Sequence, residues 1–330
     1  MLQLKNHTPF TSAMAIFPDE QGIDTLYVTV KGSFAIGAEW TLLDEQIPPQ
    51  QEDSYWGEPG ESSLKYASDL HTGKVATDII MLGEACAPRE TKVTQMDVAL
   101  TVGECSKHVR VFGDRIWHNG AISAPQSFVN MPLTYERAFG GSHTIEGEIS
   151  SAELRNLVGC GYPGSRSEKE MEGIALPNIE DPNSLIKHYS DQPAPTGFGF
   201  IAPNWQPRTN YMGSYDELWQ QQRAPYLPED FDKRFFSMAS AGLIYPGFLQ
   251  GGESVAISGM HPDGDMAFQL PQVKFAAKVE IGNRVEQPEF NMETVLLEPN
   301  QLRLSMVWKA AVPCDKNMLN IRDIRITLQR

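Results

Sequence analysis

The chain has 330 residues, 41% of them hydrophobic, and six tryptophans, which excludes a disordered polymer and allows a substantial core. Its net charge of −15, from 42 acids and 27 bases, repels phosphate backbones and argues against nucleic acid, while favouring a basic protein as partner. No run approaches the ~20 apolar residues that span a bilayer, the first residues lack the basic and apolar parts of a signal peptide, and Cys86, Cys105, Cys160 and Cys314 form no C-x-x-C pair.

These features predict a soluble cytoplasmic protein with reduced thiols and no membrane insertion. With 27 glycines and 23 prolines, the chain should consist of many turns and short elements. Three parts are distinguishable: a strand-rich N-terminal part (1–125), an irregular middle (126–250) and a strand-rich C-terminal part (251–330), together one continuous unit.

TLYVTVKGSFAI (25–36) sets Leu26, Val28 and Val30 on one face, with Phe34 and Ile36 following after Gly32. Residues 44–63 read as a loop. Between Lys31 and Lys65 stand seven acids and no base (Glu39, Asp44, Glu45, Glu52, Asp53, Glu58, Glu61), which suits a solvated acidic face. Val98, Leu100 and Val102 alternate, a polar GECSK turn follows, and HVRVFG (108–113) completes a hairpin pattern.

The middle holds roughly half of the prolines and little periodicity. In YERAFGG (135–141), Tyr135, Glu136 and Arg137 precede the tandem Gly140-Gly141, and the stretch reads as a structural corner rather than a catalytic loop. Ser150-x-x-Glu153 and Ser214-x-x-Glu217 resemble capping boxes and predict two short helices, the first stopped at Gly159 and the second halted by Pro225. Trp205, Arg208, Tyr211, Tyr215, Trp219 and Arg223 crowd one stretch. Trp, Tyr and Arg are favoured anchors of protein interfaces, and an irregular aromatic core is the alternative reading.

In the C-terminal part, ESVAISGM and DMAFQLP flank a His261-Pro262-Asp263-Gly264 turn. Val273, Phe275, Ala277, Val279 and Ile281 alternate, ETVLLE and QLRLSMVW flank Pro299-Asn300, and Ile324, Ile326 and Leu328 form a last strand. The expected fold is therefore mainly β and sandwich-like, its two strand-rich ends joined by the irregular middle with a few short helices.

Catalytic templates do not match. Gly252-Glu253-Ser254-Val255-Ala256 ends in alanine where a nucleophile elbow needs glycine, and it opens a strand. His261, Asp263 and Asp265 coincide with a turn, and Asp69, His71 and Asp78 read as a hydrogen-bonded turn rather than a metal site. Neither Gly140-Gly141 nor Gly159-Cys160-Gly161 makes a phosphate cradle. No catalytic, metal or cofactor residues are assigned.

MPLTYERAFGG (131–141), LPNIEDP (176–182), PAPTGFGFIAPNWQPR (193–208), GSYDELWQQQRAPYLPEDFD (213–232) and GGESVAISGMHPDGDMAFQLP (251–271) follow one another in an order and spacing that resemble a bacterial family, domain of unknown function 2169. KGSF, SSLKYASDLHTGKVATDIIMLG and VRVFGDRIW extend the likeness over essentially the whole chain. NLVGCGY (156–162) departs: the family has proline where Leu157 stands and a basic residue where Cys160 stands. The resemblance implies a chaperone or adaptor of type VI secretion, which accompanies an effector with a PAAR tip domain and helps load it onto the VgrG spike. A hydrolase with a cleft in the middle region, or a structural component of the apparatus, is the alternative.

Overall fold

A computed structural model describes residues 3–37 and 39–329 of the chain. Leu26, Val28, Val30 and Phe34 project from one face of a long strand, Asp24–Ala35, as the alternation predicts. That strand is the axis of a six-stranded sheet. On one side lies Thr11–Pro18; on the other lie Arg303–Pro313, Asn291–Glu298 and Asp78–Met81 in turn, and the short Thr41–Leu42 pairs with the axis strand itself. Only the contact between Asn291–Glu298 and Asp78–Met81 is parallel. Strands from the two ends of the chain thus share one sheet, with Val30 opposite Trp308 and Val28 opposite Ala310.

A four-stranded sheet, ordered Gln3–Asn6, Ile321–Leu328, Phe275–Ile281 and Arg284–Glu286, covers the apolar face of the first. Phe275 sits edge-on to Phe10 and to Trp308, with ring centroids 5.8 and 5.1 Å apart. Such pairs contribute about 0.5–1.5 kcal/mol each beyond the area they bury. The expected hairpin is present as Gln95–Val102 and Cys105–Phe112. Ile179–Glu180 extends it on one edge, and Ser254–Ser258 followed by Met266–Gln269 on the other. Leu100, Val109, Val111 and Ile257 from this five-stranded sheet join the same buried cluster as Val30 and Met306 of the large sheet. The fold is mainly β, built from sheets layered on a shared core.

The middle holds short strands of two to five residues, 3-10 turns and, among the described residues, one α-helix, Glu217–Gln222. The helix expected from Ser150 is not formed. Ser150 lies in Glu148–Ala152, which pairs with Ser142–Ile145. Glu146 and Gly147 between them have φ of +53° and +88°, the two-residue geometry that matches strand twist, and it outweighs the capping pattern. The second expected helix is present but begins later. Asp216 is its cap, its carboxylate accepting the Trp219 N–H at 2.8 Å, while Ser214 donates through N–H and hydroxyl to Asp230 at 2.9 and 2.8 Å. Among the described residues no helix is long and apolar enough to cross a membrane.

Candidate functional site

The aromatic and arginine residues of 205–223 divide between the interior and the surface. Trp205 is buried and meets Tyr135 edge-on at 5.5 Å. Arg208 is buried too. Its guanidinium donates to the Phe235 and Ile201 carbonyls, both at 2.8 Å, and burial brings it down to about 10 against the opposing charges of Asp53 and Asp78. Tyr211 is half-buried beneath the Arg234 guanidinium, 4.4 Å from the ring centre. These three residues hold the irregular segment onto the sheets.

Tyr215, Trp219 and Arg223 belong to the surface. Tyr215, 48% exposed, packs edge-on against Trp219 at 4.8 Å, and the Trp219 indole N–H donates to the Tyr226 carbonyl at 2.8 Å. Arg223 donates to the Leu227 and Glu20 carbonyls at 2.9 and 2.6 Å, tying the helix to the hairpin turn after Thr11–Pro18. Leu218 is 60% exposed, and Met212 and Tyr226 are exposed as well. A groove of about 250 Å³ runs between the helix and Pro228–Asp230. Asp216, Glu229 and Asp230 line it together with Arg223, Glu217 is exposed on the same helix, and among the described residues none of these four carboxylates has a cation in ion-pair contact. Donors from Ser214 hold Asp230 below its ordinary carboxyl value. The face joins apolar anchors to negative charge in excess of the single Arg223. Leu218 and Met212 were not among the sequence candidates, because a lone Leu or Met carries no signal until its exposure is known.

The YERAFGG stretch is fixed by bonds to distant segments. Tyr135–Arg137 forms a 3-10 turn. Glu136 accepts from the Ser63 N–H and hydroxyl at 2.6 and 2.8 Å; burial alone would raise its carboxyl, and these donors outweigh it and hold it low. Arg137 donates to the Asn178 side chain at 2.9 Å. Gly140 and Gly141 have φ of +156° and +97°, and a Cβ at Gly140 would lie 2.2 Å from the Asn156 carbonyl oxygen. Asn156 in turn donates to the Tyr135 and Phe139 carbonyls at 2.8 and 3.0 Å. The departing NLVGCGY segment is therefore the corner's packing partner, with Cys160 paired in parallel to Phe139. Leu157 packs on the main core, and burial pushes the half-buried Cys160 thiol up to about 11.

A second charged assembly went unread in the sequence. The face of the six-stranded sheet opposite Trp308 carries Thr29, Lys31, Ser33, Ser305 and Lys309, all buried. A bulge between Met292 and Thr294 turns Glu293 onto it. The segment preceding Asp78–Met81 covers it with Asp69, His71 and Lys74. Lys31 pairs with Asp69 at 3.0 Å, Lys74 with Asp78 at 2.5 Å and Lys309 with Glu293 at 3.3 Å, so three ammoniums meet three carboxylates out of water. Lys309 and the Gly73 N–H both donate to His71 Nδ1, at 3.0 and 3.1 Å, which places the ring proton on Nε2 facing Glu293 at 3.8 Å. Burial, then the Lys309 charge, holds His71 well below its ordinary value. Asp69, His71 and Asp78 are thus brought together, with lysines and a glutamate supplied from other strands. The described residues hold no group of three or more His, Cys, Asp or Glu side chains arranged to bind a metal ion. Ser254 is an exposed strand residue, and His261 to Gly264 form a turn closed by the Gly264 N–H on the His261 carbonyl at 3.2 Å.

Residues 21–309 match the profile of a family described as "Uncharacterized protein conserved in bacteria (DUF2169)". No curated protein and no solved structure matches the chain.

Proposed function

The chain belongs to the DUF2169 family, and from that premise we propose that it is an adaptor of bacterial type VI secretion rather than an enzyme. It binds an effector carrying a PAAR domain in the cytoplasm and helps bring it to the VgrG spike. One observation carries the reading: the face around Glu217–Gln222 exposes Tyr215, Leu218 and Tyr226 amid carboxylates that, among the described residues, have no cation in ion-pair contact. Exposed aromatics on a rigid support are the usual anchors of protein binding, and unneutralised acids beside them steer a basic client. Binding the folded client stabilises it by mass action.

The test is co-expression with PAAR-containing candidates from the same genome, followed by size-exclusion chromatography. The expected result is a stoichiometric complex with a client that is insoluble alone, weakened at least tenfold by Leu218→Asp and by raised salt. If no candidate co-elutes or gains solubility, the adaptor reading fails. A client that binds equally well to the Leu218→Asp protein moves the interface elsewhere.

A further inference from the structure

The six-stranded sheet ends in two edge strands that are treated differently by the rest of the chain. Asp78–Met81 is covered, because the Ile79 and Met81 N–H groups donate to the Leu243 and Phe198 carbonyls at 2.9 and 3.0 Å. Thr11–Pro18, at the other edge, pairs with Asp24–Ala35 alone. Which of its backbone groups are spent follows from Ser33. The Ser33 N–H donates to Gln46 Oε1 and its carbonyl accepts from Gln46 Nε2, both at 2.8 Å, while Arg303–Pro313 fills the opposite flank of that strand. Ser33 therefore faces the Thr11–Pro18 side, and by the two-residue period so do Lys31, Thr29, Tyr27 and Thr25. Their partners are Thr11, Ala13, Ala15 and Phe17. Ser12, Met14 and Ile16 thus turn N–H and carbonyl outward, and among the described residues no other segment bonds to them. All eight residues of the strand are part-exposed.

Strand-rich proteins blunt their edges with short strands, charge, proline or bulges. The edge strands of the four- and five-stranded sheets obey this: Gln3–Asn6, Arg284–Glu286, Ile179–Glu180 and Met266–Gln269 have four residues or fewer. Thr11–Pro18 does not. It has eight residues, no charge, an unbroken register and its one proline at the very end. We propose that this edge takes an added antiparallel strand from a partner protein: an uncharged stretch with apolar side chains at alternate positions, preceded by basic residues. Main-chain groups of Ser12, Met14 and Ile16 supply the pairing, and the antiparallel sense is the more stable one. Met14 and Ile16 pack on the core, so an added strand that continues their face sets every second side chain beside apolar surface. The antiparallel sense brings the N-terminal end of the added strand to Pro18. There stand Asp19 and Asp24, neither with a cation in ion-pair contact among the described residues, whereas Glu20 is already paired with Lys233 at 2.9 Å. This edge is a different surface from the 212–230 face and does not rest on the adaptor reading.

Amide hydrogen exchange, read residue by residue by NMR on the full chain, tests the pairing directly. In dilute protein the Ser12, Met14 and Ile16 amides should exchange fast, and those of Ala13, Ala15 and Phe17 slowly. Saturating acetyl-Lys-Arg-Thr-Val-Thr-Val-Thr-Val-amide should slow the first three at least tenfold. The same peptide N-methylated at its valines should not, because the donors that would face Met14 and Ile16 are gone. Glutamates in place of its Lys-Arg should weaken binding at least threefold. Slow exchange at Ser12, Met14 and Ile16 in the dilute protein, no protection by the peptide, or equal protection by the methylated or the acidic peptide overturns the proposal. So does protection that rises with protein concentration alone, together with a doubled mass in sedimentation, because the edge then belongs to a second copy of the chain. No PAAR-containing client enters this test, so its failure leaves the adaptor reading standing.

Discussion

Behind the six-stranded sheet, Lys31, Lys74 and Lys309 meet Asp69, Asp78 and Glu293 one for one, with Asp78 0% exposed. On the 212–230 face, Asp216, Glu217, Glu229 and Asp230 stand in water with no cation in contact among the described residues. The same residue types do different work in the two places. Inside, charge is matched to charge and locks a covering segment onto a sheet. Outside, charge is left over and remains available to something else. The inner assembly should therefore govern stability and leave partners indifferent, and the outer one should do the reverse.

The sharpest way to break that contrast is Lys74→Met. It leaves the Asp78 carboxylate buried with the Met238 N–H, at 2.7 Å, as its remaining donor. Removing one partner of a buried ion pair costs about 3–5 kcal/mol, which urea unfolding measures directly. Changing Asp78 to Asn in the same chain should recover part of the loss, because the orphaned charge goes with it. A cost below about 1 kcal/mol for Lys74→Met would mean that water reaches the layer and that it is not a closed assembly.

The corner offers the next largest effect. Gly140→Val drives a Cβ onto the Asn156 carbonyl oxygen in a left-handed conformation, and the clash and the strain together should cost about 3 kcal/mol or more. Gly147→Ala is the control. Its φ of +88° is also positive, but its Cβ meets nothing within 4 Å, so only about 1 kcal/mol of backbone strain is expected. Unfolding curves that do not distinguish the two would show that the corner yields rather than anchors.

These two regions also mark where sequence reading succeeds and stops. Alternation placed Leu26, Val28, Val30 and Phe34 on one face because local periodicity and burial agree there. The same alternation hid the ionic layer: Thr29, Lys31 and Ser33 read as the wet side of a strand, and only the fold reveals the segment lying over them. Lys309 and Glu293 come from strands more than 200 residues away from His71, a proximity no local pattern carries. Lysines at the centre of long strands were the available signal. Among the aromatics, Trp205 and Tyr215 are alike in sequence context, and only burial separates anchor from surface. The failed helix at Ser150 was a contest between a four-residue cap pattern and a Glu-Gly turn, and pairing with a second strand decided it.

A smaller effect tests the neutrality of the inner assembly through pH. His71 faces Lys309, Lys74 and Arg208, whose charges add to burial in holding its folded value far below 6.5. In acid the unfolded chain takes up a proton at this residue and the folded chain does not. The stability it supports is therefore complete above pH 6.5 and is lost as pH falls below that, by about 1.4 kcal/mol per unit while the ring stays neutral. Carboxylates held low, such as Glu136, lose their contributions only below their ordinary range near 4.5. Between pH 6.5 and 5 the slope should thus flatten in His71→Gln. An unchanged slope would place the titration elsewhere.

The smallest stability effect is expected on the outer face, and there its smallness is the point. Leu218 is 60% exposed, so Leu218→Ser removes little buried area and should shift unfolding by less than about 0.5 kcal/mol. The helix keeps its Asp216 cap and its Arg223 tether, neither of which involves Leu218. If Leu218→Ser instead cost 2 kcal/mol or more, the side chain would be part of the core, and the face would lose its claim to be free for a partner. If stability holds while client affinity falls at least tenfold, the two charged regions are separable, one serving the fold and the other what the fold presents.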